Sequence, residues 1–176
     1  LERKLENKRA IFFGFTNIIW GNFIEKLKMN NSKLDFNNCV LVHGGGWKKL
    51  ENKKIKKQKL NKEIKYSLKI KNVINYYGMI EQTGSIFMEC EHGYFHSSIF
   101  SDVLIRNSNF KLEKNNKPGI IQVFSLLPIS YPGHNIVTED LGVIIDEDNC
   151  KCGRNGKYFK VLGRIKDSEI KGCANV

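Results

Sequence analysis

The sequence predicts an α/β chain in which a parallel-sheet portion, residues 1–85, is followed by a smaller β portion, residues 86–176. Two observations carry that prediction. Up to Tyr77, short apolar runs alternate with helix-periodic segments, the pattern of a sheet with helices on its faces. After Ser85 the apolar runs lie close together, separated by turn formers such as Asn115-Asn116-Lys117-Pro118-Gly119 and by no helical period. That is the pattern of consecutive strands.

Residues 1–9 are charged and helix-compatible, and they begin without a cap, as if the chain had been cut from something longer. Residues 10–15 form an apolar run suited to a buried strand, and the spacing of Ile19, Phe23, Ile24 and Leu27 predicts a helix over 18–28. A second strand at 39–42 runs into His43 and then Gly44, Gly45, Gly46 and Trp47. Three successive glycines let a backbone pass close to a flat ligand, but they lack the spacing of a P-loop or a dinucleotide fingerprint. They fit a wall against a base better than a phosphate cradle. Leu60, Ile64 and Leu68 recur every four residues, which predicts a helix with one narrow apolar stripe. Residues 73–77 complete a strand-helix-strand-helix-strand series, which favours a parallel sheet.

Gly78 marks where the backbone leaves that third strand. A ligand at its carboxyl end would meet Tyr77, whose ring can stack on a base, Glu81, which can hold a divalent cation, and Thr83-Gly84-Ser85 as donors to phosphate. The same residues also fit a strand followed by a polar turn with Glu81 in solvent. Beyond them, strands are predicted at 86–88, 99–106, 120–127, 143–145 and 158–162, arranged as a small barrel or sandwich.

With 41% hydrophobic residues in 176, the chain can build a core. The net charge of +11 is local: eleven Lys stand against Glu51 and Glu63 between Lys48 and Lys71. Lysine without arginine or interleaved aromatics makes a poor recognition surface, so the run reads as a solvated face and not as a nucleic-acid site. No apolar run approaches the roughly 20 residues that span a bilayer. The odd set Cys39, Cys90, Cys150, Cys152 and Cys173 reads as reduced thiols in a cytoplasmic setting.

Cys90, His96, Cys150 and Cys152 form two short pairs across a long gap, with His92 as a competing imidazole. Zinc takes four such donors in structural sites. The Cys150-x-Cys152 spacing is tighter than the common one, so spacing alone leaves a metal site and buried free thiols both open. Asp140 and Arg164 each follow an apolar run, an acceptor and a cation of the kinds that ribose recognition uses.

In order, Gly44-Gly45-Gly46-Trp47-Lys48, Tyr77-Gly78-Met79-Ile80-Glu81-Gln82-Thr83-Gly84-Ser85, Tyr131-Pro132-Gly133-His134, Thr138-Glu139-Asp140-Leu141-Gly142, Cys152-Gly153-Arg154 and Gly163-Arg164-Ile165-Lys166 resemble the acyl-protein synthetases of bacterial luminescence operons, the LuxE family of adenylate-forming enzymes. The likeness runs from about Cys39 to the last residue.

That resemblance implies the large domain of an adenylate-forming enzyme, using ATP and Mg2+ to activate a fatty or other carboxylic acid as acyl-AMP. By the same resemblance, Gly44, Gly45 and Gly46 line adenine, Tyr77 stacks on it and Glu81 holds magnesium. Asp140 binds the ribose hydroxyls, and Arg164 assists at the hinge. Ile80 departs from the Thr or Ser usual there, leaving Thr83 to meet the α-phosphate. Cys173 corresponds to the acyl-accepting thiol, with Lys166 and Lys171 favouring its thiolate.

The Cys and His pattern is also similar to that of phenylacetate-CoA ligases, some of which carry structural zinc, which implies zinc at Cys90, His96, Cys150 and Cys152. An acyl reductase or acyltransferase is the implied partner, as in the fatty acid reductase complex of bioluminescence. No stretch of the sequence, residues 1–38 included, supplies the family's upstream triphosphate-binding loop, so the chain resembles the C-terminal half of a synthetase: a split-gene product whose other half is a separate polypeptide, a pseudogene fragment or a truncated chain. The rivals are a CoA ligase with Cys173 incidental, a zinc-stapled basic module binding nucleic acid through 48–71, and a non-catalytic remnant.

Overall fold

The computed structural model describes residues 8–46 and 55–165. The chain divides into two compact units, Leu1–Asn75 and Tyr76–Val176, so the turn at 78–85 belongs by its contacts to the second.

The first unit follows the predicted alternation. β1 (Ile11–Phe15) leads into a continuous helix, α1, then β2 (Val40–Gly44), α2 (Lys57–Leu68) and β3 (Asn72–Tyr77), whose last two residues enter the second unit. β1 and β2 are parallel, in register from Ile11 opposite Val40 to Phe15 opposite Gly44. Helix α1 is composite: Thr16–Ile18 and Glu25–Met29 are α-helical, and Ile19–Ile24 between them is a π-helical turn, closed where the Glu25 N–H reaches the Trp20 carbonyl. The wider turn brings residues five apart onto one side, so Ile19, Trp20 and Ile24 are all buried.

The stripe predicted on α2 packs as expected, with Leu60, Ile64 and Leu68 at 3% exposure or less against Ile24, Phe36 and Leu41. The helix ends at Lys69 in a left-handed conformation, φ 56°. Carbonyls of its last turn that would lack partners accept from Leu34 N and Phe36 N, at 2.9 Å each, and tie the 30–39 loop to the helix. Lysines of this region take surface partners: Lys69 pairs with Asp35 at 2.6 Å and Lys28 with Glu63 at 3.1 Å.

The second unit is one antiparallel sheet, so of the expected barrel or sandwich the stacked sandwich is not formed. The end of β3 pairs with β4 (Phe87–Glu89), followed across the sheet by β5 (Phe95–His96), β9 (Lys157–Arg164), β8 (Asn135–Glu147), β7 (Gly119–Ser125) and β6 (Ser101–Arg106). No second sheet stacks on it among the described residues. The reason lies in β8, whose 13 residues hand the sheet over. Its first part pairs with β7 and its later part with β9, the two overlapping only around Asp140–Gly142. Such a staggered, bulged pairing coils the sheet. Side chains from β4 and β6, at opposite ends of the strand order, therefore share one core: Phe87, Phe95, Val103, Ile105, Ile121, Val123, Ile144 and Phe159.

Among the described residues, no helix is long and apolar enough to cross a membrane.

Candidate functional site

Three groups of side chains carry chemistry. The first is built on β3, β8 and β9. Asp140 stands opposite Arg164 in the β8–β9 register, and Gly142 beside it is obligatory, since a Cβ there would lie 2.6 Å from Ile121 Cδ1 and 2.7 Å from the Lys160 carbonyl. The Tyr77 hydroxyl donates to Asp140 Oδ2 at 2.8 Å, and Arg164 Nε lies 3.8 Å from Asp140 Oδ1. Arg164 also bonds Glu139. Thr138 Oγ1 accepts from the Asp140 N–H at 3.1 Å and donates to the Ile121 carbonyl at 2.9 Å, which sets the local backbone. The Tyr77 ring packs on Phe87, Phe95 and Phe159 with centroids 6.0–6.2 Å away. Burial first, then the Asp140 charge, push the Tyr77 phenol above its ordinary pKa, so it stays a donor.

The second group is the turn that follows β3. Ile80–Gln82 is one turn of 3₁₀ helix, with Glu81 exposed on it. Gln82 is buried, and its amide donates to the Gly133 carbonyl at 2.8 Å, clamping the 131–134 loop. Thr83, expected to meet phosphate, is engaged locally: its hydroxyl donates to the Ile80 carbonyl at 3.0 Å, and its N–H to the Tyr131 oxygen at 3.0 Å.

The third group is Cys90, His96, Cys150 and Cys152, whose ligand atoms all lie within 4.8 Å of one another. Strand alternation builds it. Phe95 and Phe159 face each other in the core, so their neighbours His96 and Tyr158 face each other on the opposite side, rings stacked 5.8 Å apart. Cys90 opens the tight turn between β4 and β5, where Gly93 N bonds the Cys90 carbonyl at 2.9 Å. Cys150 and Cys152 lie on the β8–β9 loop, where Gly153, at φ 78°, makes the matching bond to the Cys150 carbonyl at 2.9 Å.

His96 Nε2 is 3.4 Å from Cys152 Sγ, and Nδ1 is buried with no hydrogen-bond partner among the described residues. Burial, then Arg154, hold the His96 pKa below its ordinary value. Burial raises the Cys150 thiol. At Cys152 burial acts upward too, but the Arg154 N–H and the neighbouring thiols outweigh it and lower the pKa. A neutral imidazole beside a thiol biased toward thiolate is a donor set for a soft or borderline cation.

The glycine stretch belongs to the first unit. Gly44 ends β2, and Gly45 takes φ 74° with Phe15 close beneath, 3.2 Å from where a Cβ would stand. His43 just before it is 4% exposed. Its Nδ1 lies 2.9 Å from Thr16 Oγ1, which lies 3.0 Å from the Gly44 carbonyl. A carbonyl only accepts, so Thr16 gives its proton to Gly44 and His43 carries its own on Nδ1. Nε2 is then an acceptor, buried and without a hydrogen-bond partner among the described residues. Burial, then Lys57, lower this pKa to about 4.

Cys173, Lys166, Lys171, Trp47 and Lys48 lie outside the described residues. Sequence reasoning assigned no role to Gln82, Thr138 or Tyr131. Only Tyr131 left a usable signal, in the Tyr-Pro-Gly-His run.

The acyl-protein synthetase family LuxE matches residues 1–176. A comparison with curated protein sequences gives no match. Among solved structures, an open conformation of 2-hydroxyisobutyryl-CoA ligase in complex with 2-HIB-AMP and CoA superposes with TM-score 0.68 at 17% identity, over 90% of this chain and 36% of that one. Apo MatB from Rhodopseudomonas palustris gives 0.59 at 14%, over 94% and 33%. A long-chain-fatty-acid-CoA ligase from Archaeoglobus fulgidus gives 0.58 at 12%, over 88% and 34%. The fold is that of adenylate-forming enzymes, and the chain spans roughly a third of the length of these structures.

The buried histidine yields a pH prediction. A folded pKa of about 4 lies below the unfolded value of 6.5, so neutral His43 stabilises the fold fully above pH 6.5. That contribution, about 3 kcal/mol, is lost as pH falls through the folded pKa. NMR should show the His43 ring unprotonated at pH 5.5 while unfolding free energy already declines. Titration near 6.5 would refute the burial argument.

Proposed function

Because the chain belongs to the acyl-protein synthetase family LuxE, we propose that it serves in the ATP-dependent activation of a long-chain fatty acid and its transfer to a protein thiol. The carboxylate oxygen attacks the α-phosphorus of ATP, pyrophosphate leaves, and acyl-AMP forms. The Cys173 thiolate then attacks the acyl carbon, the bond to AMP breaks, and a thioester remains for a reductase or acyltransferase. The complete reaction is proposed of the assembled enzyme, whether the rest of the adenylate-forming fold lies on this polypeptide or on another.

The observation that carries this reading is the setting of Asp140. One of its oxygens is fixed by Tyr77, and the other lies at the edge of Arg164's reach, 2.8 and 3.8 Å respectively. A partly exposed carboxylate so held can accept from two vicinal hydroxyls at little further ordering cost. In this reading Tyr77 borders the nucleoside and Arg164 keeps Asp140 oriented. Exposed Glu81 would hold Mg2+, which supplies charge neutralisation at the phosphates when bound. A reaction that consumes ATP, on a chain with reduced thiols, suits the cytoplasm.

Cys90, His96, Cys150 and Cys152 are proposed as a structural zinc site. Tetrahedral Zn with ordinary bond lengths sets a nitrogen and a sulfur about 3.6 Å apart, close to the 3.4 Å between His96 and Cys152. Four protein donors leave no open position, so the ion would staple the β4–β5 turn to the β8–β9 loop.

Intact-mass measurement after incubation with synthetic myristoyl-AMP tests the transfer step. A hydroxylamine-labile adduct is expected on the native chain and none on Cys173→Ser. An adduct that persists in the variant would sink the acceptor assignment. For the metal, elemental analysis should find one zinc per chain, lost in Cys150→Ser together with several degrees of Tm. A metal-free chain whose melting is unchanged by added zinc and by chelator would exclude the staple.

A further inference from the structure

The turn that carries Glu81 offers no exposed, unspent hydroxyl of its own; its one hydroxyl without a hydrogen-bond partner among the described residues, Ser85 Oγ, is buried. Ile80 is apolar, Ser85 is buried at 3% exposure, and Thr83 Oγ1 spends its proton on the Ile80 carbonyl at 3.0 Å. A phosphate oxygen arriving beside Glu81 would still require a donor, because two anionic oxygens cannot satisfy each other.

The 131–134 loop brings that donor. Tyr131 is 37% exposed, and its oxygen accepts from the Thr83 N–H at 3.0 Å. Among the described residues its own proton finds only Thr83 Oγ1 to point at, 3.4 Å away, beyond the 2.5–3.0 Å typical of hydroxyl pairs. The phenol is therefore held in place by what it accepts and underused in what it donates.

Its position is built into the fold. Gly133 packs beneath the Tyr131 ring, where a Cβ would collide with the ring and stand 3.1 Å from the Glu81 carbonyl. Gln82, 1% exposed, donates to the Gly133 carbonyl at 2.8 Å and lies 3.4 Å from the Val123 carbonyl. Loop and turn are thus tied together by hydrogen bonds at two successive residues, Gln82 and Thr83, with the phenol at the exposed end.

We propose that Tyr131 is a phosphate-binding residue, donating its phenolic hydrogen bond to a phosphoryl oxygen of the adenylate beside Glu81. The inference rests on the adenylate reading above. A neutral donor suits this place, since it stabilises charge on phosphate without competing for the cation assigned to Glu81.

The test compares AMP with adenosine by titration calorimetry on the full chain and on Tyr131→Phe, which keeps the ring over Gly133. The native chain should bind AMP more tightly than adenosine. The variant should lose about tenfold or more for AMP, the range for a hydrogen bond to a charged group, and stay within twofold for adenosine. An unchanged preference for AMP in the variant overturns the role of Tyr131 and leaves the nucleotide reading standing. Equal weakening of both ligands makes the residue merely structural and also overturns it. Binding of neither by the native chain overturns the adenylate reading and this inference with it.

Discussion

The pairing of β8 with β9 is the constraint on which the second unit depends. Asp140 and Arg164 face each other only in this register, with Gly142 accepting the close approach of Ile121 and the Lys160 carbonyl. In a sheet, a slip of one residue turns every side chain to the other face. Here such a slip would remove the carboxylate from Tyr77, withdraw Phe159 from the core and turn Tyr158 away from His96. Two register shifts within the pair, at Leu141/Gly142 and Ile144/Asp146, pin the alignment against that error.

From that pairing the two chemical groups of the unit follow as opposite ends of one ribbon. At one end, Thr138, Asp140 and Arg164 gather at the tip of β3. At the other, Asp148 bonds Gly156 in both directions, N to O at 3.2 Å and Gly156 N to Oδ1 at 2.6 Å, and closes the loop that presents Cys150 and Cys152. Between them Ile144 faces the main core and Ile145 faces the thiol cluster. A metal at the far end would hold the ribbon's hairpin to the β4–β5 turn, and so stiffen the strands that carry Asp140.

Much of this was legible because it followed simple periods. The strand-helix alternation before Tyr77 and the four-residue stripe of α2 needed only apolar spacing. The sequence also assigned roles to Tyr77, Asp140 and Arg164 of the Asp140 group, though none to Thr138 or Glu139, and it named all four of the cysteine-histidine cluster. What it hid has physical causes. Apolar pattern located β8 only at 143–145, because two of its earlier inward positions, Thr138 and Asp140, are polar and break the alternation that Ile136 begins. The π turn of α1 was invisible, since Ile19, Phe23, Ile24 and Leu27 fit an ordinary helix. Nothing local in Thr83 shows that its hydroxyl is spent, or in Tyr131 that it comes to rest 48 residues back along the chain. A barrel or sandwich was expected from the number of short strands; one long strand pairing on both sides made a single coiled sheet, with no second sheet stacked on it among the described residues.

The central claim is that Asp140, fixed between Tyr77 and Arg164, is an acceptor for a ribose diol. Its most direct test is the affinity of the chain for AMP against 2′,3′-dideoxy-AMP, in the native protein and in Asp140→Asn. The account predicts that removing the hydroxyls weakens binding about tenfold or more in the native chain, the cost of hydrogen bonds to a charged group, and little in the variant. Equal affinity of the native chain for both nucleotides would contradict it.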